Sequence, residues 1–146
     1  MSMFEKILYP TDFSGRAKDA LDFIKTLEHA GEKEVVILHV MDAKLIDFSN
    51  RYAPEVFANV EKSLEEKTVK DLAVIETKLK DKGFKVSVRL EKGVPFREIL
   101  RVSEEENVSV IVIGSHGMSN IKEMLLGSVS EKVVRKSKMP VLIIKQ

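Results

Sequence analysis

The sequence predicts an α/β fold: three layers, α/β/α, around an open five-stranded parallel sheet of Rossmann-like type. Three observations carry this. Short apolar runs alternate with segments of helical apolar spacing through five strands. The second, fourth and fifth runs are nearly unbroken in apolar residues, as strands covered on both faces are. The 146 residues hold no internal repeat, low-complexity tract or linker, so one domain over 1–146 is expected.

The elements follow in order. Lys6-Ile7-Leu8-Tyr9 is a short strand that stops at Pro10. Ser14 is a candidate cap for a helix whose Ala17, Ala20, Leu21, Ile24 and Leu27 recur at helical spacing, with Gly31 ending it. Val35-Val36-Ile37-Leu38-His39-Val40 is the second strand. Met41 to Ala53 is the least regular piece and reads as a long loop, either a lid or binding loop or a disordered connector. From about Pro54 to Lys82, Phe57, Val60, Leu64, Thr68, Leu72, Ile75 and Leu79 recur at three- and four-residue steps, a second helix closed by Gly83. Phe84, Val86, Val88 and Leu90 alternate with polar residues, which suits a third strand with one face more exposed. After Gly93 and Pro95 a short helix carries Phe96, Ile99 and Leu100. Val108-Ser109-Val110-Ile111-Val112-Ile113 is the fourth strand, Val129, Val133 and Val134 mark a fourth helix, and Pro140-Val141-Leu142-Ile143-Ile144 is the last strand.

Composition narrows the function classes. Apolar content of 44% and charged content of 32% describe an ordinary globular protein. A net charge of +1, with no Lys/Arg cluster interleaved with aromatics, argues against a nucleic-acid surface. No apolar run reaches the roughly 18 residues of a membrane helix. The start, Met1-Ser2-Met3-Phe4-Glu5-Lys6, lacks a signal-peptide pattern, so a cytoplasmic location is expected. With no cysteine there is no disulfide framework, thiol nucleophile or thiolate metal site.

The chemistry concentrates after the fourth strand. Gly114-Ser115-His116-Gly117 and, ten residues on, Gly127-Ser128-Val129-Ser130 hold three of the seven glycines. A strand that empties into a glycine-bracketed loop and then a helix is a way to hold phosphate. Glycine lets backbone N–H groups approach an anion, and the first helical turn adds free N–H groups and a positive dipole end. Ser128 and Ser130 are placed either to donate hydroxyls to phosphate or to cap the helix. His116 is placed to contact a phosphate or serve as a base, though a lone loop histidine is more often an exposed bystander. His29 and His39 stand apart from it, so no metal-ligand set is read. Ligands of open α/β sheets sit beyond the carboxyl ends of the strands, where the order reverses. A second polar cluster, Pro10-Thr11-Asp12-Phe13-Ser14, follows strand one. If strands one and four are neighbours, both clusters line one crevice, where Asp12 either bonds a ribose, a base or a water-held metal, or merely caps the first helix.

These residues carry a resemblance. The chain resembles the ATP-binding subgroup of the universal stress protein family through Gly-x2-Gly-x9-Gly-Ser, here Gly114, Gly117, Gly127 and Ser128. Supporting matches are Ile7 to Ser14, the His39-Val40 end of strand two, Gly93-Val94-Pro95, and Pro140-Val141-Leu142. The resemblance implies strand order 3-2-1-4-5 and one ATP in the crevice. Pro10, Thr11 and Asp12 would flank adenine and ribose, and the Val40 backbone would read the adenine edge. Gly114, Ser115, Gly117, Gly127, Ser128, Val129 and Ser130 would wrap the triphosphate, with Mg²⁺ or Mn²⁺ held on the phosphates. It also implies a homodimer through Val141 to Ile144, an edge strand whose unpaired backbone invites pairing.

No Gly-x4-Gly-Lys-Ser/Thr is present, no residue is placed to orient an attacking water, and no arginine finger can be named. The reading is therefore an ATP-dependent switch in stress response, at most a slow ATPase, with a protein partner the sequence does not name. A response-regulator receiver fails, because strand three ends at Leu90-Glu91 and no helix follows strand five. A flavin module rests on fold analogy alone. The competing reading is a non-enzymatic dimeric interaction protein whose crevice does not need nucleotide.

Overall fold

The computed structural model describes residues 2–52, 54–116 and 126–145. Its strands are β1 (Lys6–Pro10), β2 (Glu34–Asp42), β3 (Lys85–Gly93), β4 (Val110–Gly114) and β5 (Val141–Ile144). They pair in parallel in the order β3-β2-β1-β4-β5, which is the expected order. The helices are α1 (Gly15–Lys25), α2 (Ala43–Tyr52), α3 (Pro54–Asp81), α4 (Pro95–Glu105) and α5 (Ser128–Lys136).

The two-residue period of the strands divides the core between two faces. Ile7, Tyr9, Val35, Ile37, Val110 and Val112 point one way and pack with Ala20, Leu21 and Ile24 of α1 and Leu72, Ile75 and Leu79 of α3. Leu8, Val36, Leu38, Ile111 and Ile113 point the other way and meet Ile99 and Val102 of α4 and Val133 of α5. The α3 stripe read from the sequence is buried only over its second half: Val60 and Leu64 are 45% and 46% exposed. Gly83 closes α3 in a left-handed conformation (φ +101°), its N–H bonding the Lys80 carbonyl while Phe84 N–H reaches Leu79.

Several details differ from the sequence reading. The segment after strand two is not a loop: β2 runs on to Asp42, whose Oδ1 accepts the Lys44 N–H, and α2 follows at once. The first helix ends at Lys25, six residues before Gly31, because Thr26 turns back on Phe23 with both its N–H and its hydroxyl. Leu27 therefore packs from outside the helix, and Gly31 lies in a 3-10 turn, Ala30–Glu32. At the fourth strand, Ser109 uses its hydroxyl to hold Met3 and Lys6, so β4 begins only at Val110. In α5, Val133 is core but Val134 is 45% exposed. At the β3 edge, Arg89 pairs with Glu91, Glu105 and Glu106, and Arg101 of α4 pairs with Glu91, Glu98 and Glu105.

Candidate functional site

β1 and β4 are neighbours at the centre of the sheet, and the chain leaves them toward opposite faces, into α1 and α5. A crevice must open between two connections that diverge in this way. It measures about 300 Å³. Pro10, Thr11, Asp12 and Val40 line it from the ends of β1 and β2, and Gly114, Gly127, Ser128, Val129 and Ser130 from β4 and α5. Both polar clusters thus share one cavity. Ser115 is buried behind the wall, and Gly117 lies outside the described residues.

The β1 side is locked by its own hydrogen bonds. Thr11 N–H bonds the Leu38 carbonyl, the last rung of the β1–β2 ladder. One more rung would use the Thr11 carbonyl and the Phe13 N–H against the peptide groups of Val40. Both are engaged elsewhere: His39 Nδ1 donates to the Thr11 carbonyl at 2.7 Å, and Thr11 Oγ1 accepts the Phe13 N–H at 3.0 Å. A carbonyl only accepts, so the His39 proton sits on Nδ1. Phe13, in a left-handed conformation, stacks on the His39 ring. The strand period leaves the Val40 peptide on the crevice side, past the end of β1. Asp12 Oδ1 accepts the Ser14 N–H, and Ser14 Oγ caps α1 at Ala17 N–H. The helix cap is therefore Ser14, with Asp12 bracing the turn and still lining the crevice.

The β4 side is built differently from the sequence expectation. Ser130 donates its hydroxyl to the Gly114 carbonyl at 2.8 Å, so its proton is committed inside the protein. Ser128 is exposed, and the cap position of α5 is Gly127, with no side chain bonding the helix end. Neither serine caps the helix. The free groups here are the backbone N–H groups of the first turn. Gly127 N–H bonds the Ser115 carbonyl, and Ser115 N–H bonds Ile144, which ties the start of α5 to β4 and β5. Gly114 is required by packing: a Cβ there would stand 2.7 Å from the Arg16 backbone. His116 is no exposed bystander, being 7% exposed and part of the crevice wall.

The universal stress protein family model matches residues 3–145. The chain belongs to the universal stress protein family. Universal stress protein MJ0577 of Methanocaldococcus jannaschii is 40% identical over 99% of this chain and 96% of its own length. The solved structure of MJ0577 superposes with a TM-score of 0.88 at 41% identity, covering 99% and 98% of the two chains. Universal stress protein YxiE of Bacillus subtilis is 36% identical over 98% of this chain and all of its own. A universal stress protein solved in complex with cAMP has a TM-score of 0.64 over 99% of this chain and 98% of its own; at 23% identity that likeness is one of fold.

In this universal stress protein part of the wall comes from residues that sequence reasoning did not assign to the site: Ala17, Leu38, Pro95, Ile99 and Ile113. Their apolar character reads as core, and only the β-strand ends and the Gly93-Val94-Pro95 turn into α4 marked the neighbourhood. No group of three or more His, Cys, Asp or Glu side chains is arranged to hold a metal among the described residues. No helix among them is long and apolar enough to cross a membrane.

Proposed function

We propose that this chain binds ATP in the crevice and acts as an ATP-dependent switch in stress response, with slow hydrolysis at most. The observation that carries the reading is the meeting of the Thr11–Asp12 turn, the Val40 peptide and the start of α5 around one cavity at the point where strand order reverses. The Val40 peptide offers a donor and an acceptor side by side, the complement of an adenine edge. Leu38, Ile99 and Ile113 supply the apolar walls for a flat base, and Asp12 a carboxylate for ribose hydroxyls. The first-turn N–H groups of α5, at the positive end of its dipole, face where the phosphates belong. Mg²⁺ or Mn²⁺ fits this donor set as a phosphate-held ion, since such cations take only one or two carboxylates beside phosphate oxygens. Asp12 keeps one oxygen free of the Ser14 bond, and Ser128 is exposed and also lines the crevice. The bound cation would neutralise phosphate charge.

The switch acts as a homodimer through Val141–Ile144, the strand that leaves one side of the sheet unpaired, in the cytoplasm, and relays to a protein partner. Release of about one adenine nucleotide per chain on denaturing the freshly purified protein is expected. Calorimetry with ATP and Mg²⁺ tests the reading directly: no binding near millimolar, weaker than about −4 kcal/mol, overturns it. A dimeric interaction protein with no need of nucleotide then becomes the better account. A monomer in sedimentation at micromolar concentration overturns the dimer.

A further inference from the structure

Three cations gather on one aromatic ring in the groove between α4 and α5. Arg97 Cζ stands 5.6 Å from the centroid of Phe96, Lys132 Nζ 4.9 Å and Lys136 Nζ 5.0 Å. Phe96 is half-buried and packs with the apolar layer that holds Leu8 and Ile99, while the three cations are exposed. A ring face attracts a cation, but it carries no net charge and cannot neutralise three. The acids of the same two helices are engaged elsewhere: Glu98 and Glu105 hold Arg101, Glu131 holds Arg135, and Glu104 holds Lys138. Among the described residues no carboxylate pairs with Arg97, Lys132 or Lys136. The two lysines, one turn apart on α5, also repel each other.

The place and spread of these charges select what neutralises them. α4 packs on β2, β3 and α5, and α5 packs on β5, so α5 stands between the groove and the β5 edge. The groove adjoins the crevice: Pro95, beside Phe96, and Ser128, one turn before Lys132, both line it. Lys132 and Lys136 are about 6 Å apart along the helix axis, at about 1.5 Å of rise per residue. Alternate residues of an extended chain point to one side and are about 6.6 Å apart. An extended peptide with acids at alternate positions therefore meets α5 with one carboxylate per lysine, and Arg97 takes a third across the groove. A nucleic acid fits less well, because duplex binders commonly make about 6–10 phosphate contacts. Three cations fall short of that, and the chain as a whole carries only +1.

We propose that the α4–α5 groove, Phe96 with Arg97, Lys132 and Lys136, docks an acidic, extended segment of a partner protein. Docking there places the partner within one helical turn of residues that line the crevice. The inference rests on the switch reading only for calling this segment the partner of the switch; the docking itself needs no nucleotide.

The test titrates the full chain, without nucleotide, with the capped peptide Glu-Thr-Glu-Thr-Glu and follows backbone amide shifts by NMR. Saturable shifts centred on Phe96, Arg97, Lys132 and Lys136 are expected, with a Kd below about 1 mM. Raising salt from about 0.05 to 0.5 M is expected to weaken binding about tenfold or more. Lys132→Glu combined with Lys136→Glu is expected to weaken the peptide about tenfold or more, and to gain binding of the peptide in which Lys replaces Glu. Lys62→Glu combined with Lys67→Glu, at exposed positions of α3, makes the same change in net charge and is expected to leave affinity within about twofold. The absence of saturable shifts overturns the proposal, as do shifts centred elsewhere or equal loss in the two charge-reversed proteins. Single-stranded DNA of equal charge that binds the four residues more tightly than the peptide overturns it in favour of nucleic acid. Because the titration contains no nucleotide, its failure leaves the ATP reading standing, and failure of ATP binding leaves the groove standing.

Discussion

Gly114→Ala separates two reasons for a glycine at the end of β4. A methyl group there would stand 2.7 Å from both the carbonyl carbon and the oxygen of Arg16, and 2.9 Å from its Cβ. Carbon contacts settle near about 3.5 Å, so α1 or β4 must give by roughly 0.8 Å. Backbone atoms make the two closest approaches, so no change of rotamer relieves them. Overpacking of this kind costs about 1–3 kcal/mol, offset in part by the reduced freedom of alanine in the unfolded chain. A net loss of about 1–2 kcal/mol lowers Tm by roughly 2–8 °C for a chain of this size. Urea unfolding followed by circular dichroism is the assay, and the midpoint is expected to fall with the slope unchanged. Wild-type stability combined with lost ATP binding would refute the packing argument and return Gly114 to the phosphate. Gly127 differs in its backbone: its φ of −62° suits any residue, and it lines the crevice.

Burial pushes the Tyr9 phenol up to about 12 from its ordinary 10.0. Because the folded-state value lies above the unfolded one, this contribution is complete below pH 10 and is lost as pH rises toward 12. Tyr9→Phe is expected to flatten that alkaline limb of the urea midpoint, while also removing the bond from the phenol to the Ala17 carbonyl. Glu105 is held below the ordinary carboxylate range by hydrogen bonds from Arg89 and then Arg101. Its contribution is present above the ordinary carboxylate pKa and is lost as pH falls through the lowered one; Glu105→Gln is expected to soften the acid limb, and added salt to shrink the difference. At the turn after β1, Asp12→Asn keeps an oxygen for the Ser14 N–H and is expected to leave stability near wild type, whereas Asp12→Ala is expected to lose about 1 kcal/mol, read from urea midpoints.

The sheet was legible because its strands are written in two independent signals. Ile7 to Tyr9, Val35 to Leu38 and Val110 to Ile113 are apolar at every position, and the helices between them carry a 3.6-residue stripe. Strand order was legible only through resemblance, since neither signal says which strands are neighbours. The α2 segment was missed for a physical reason. Leu45, Phe48 and Tyr52 do follow helical steps, but ten residues give few repeats, and Asp42 at its start also serves as a strand residue. The site was half legible. Strand ends followed by Asp, Thr, Gly and Ser announce a polar crevice, while Leu38, Ile99 and Ile113 are buried like any other core residue and only the fold sets them at the crevice. His116 was misjudged because sequence spacing says nothing about burial.

Most polar side chains of the crevice are already engaged by the protein itself. Thr11 Oγ1 holds Phe13, Asp12 Oδ1 holds Ser14, the His39 ring holds Thr11, and the Ser130 hydroxyl holds Gly114. These bonds set the shape of the cavity before anything enters it. The groups left to face a ligand are peptide groups, at Val40 and at the first turn of α5. Recognition by peptide groups depends on where the backbone runs, and only weakly on which side chain stands at each position. Substitutions at Thr11 or Ser130 should therefore act through cavity shape. Each would change affinity for ATP and for adenosine together.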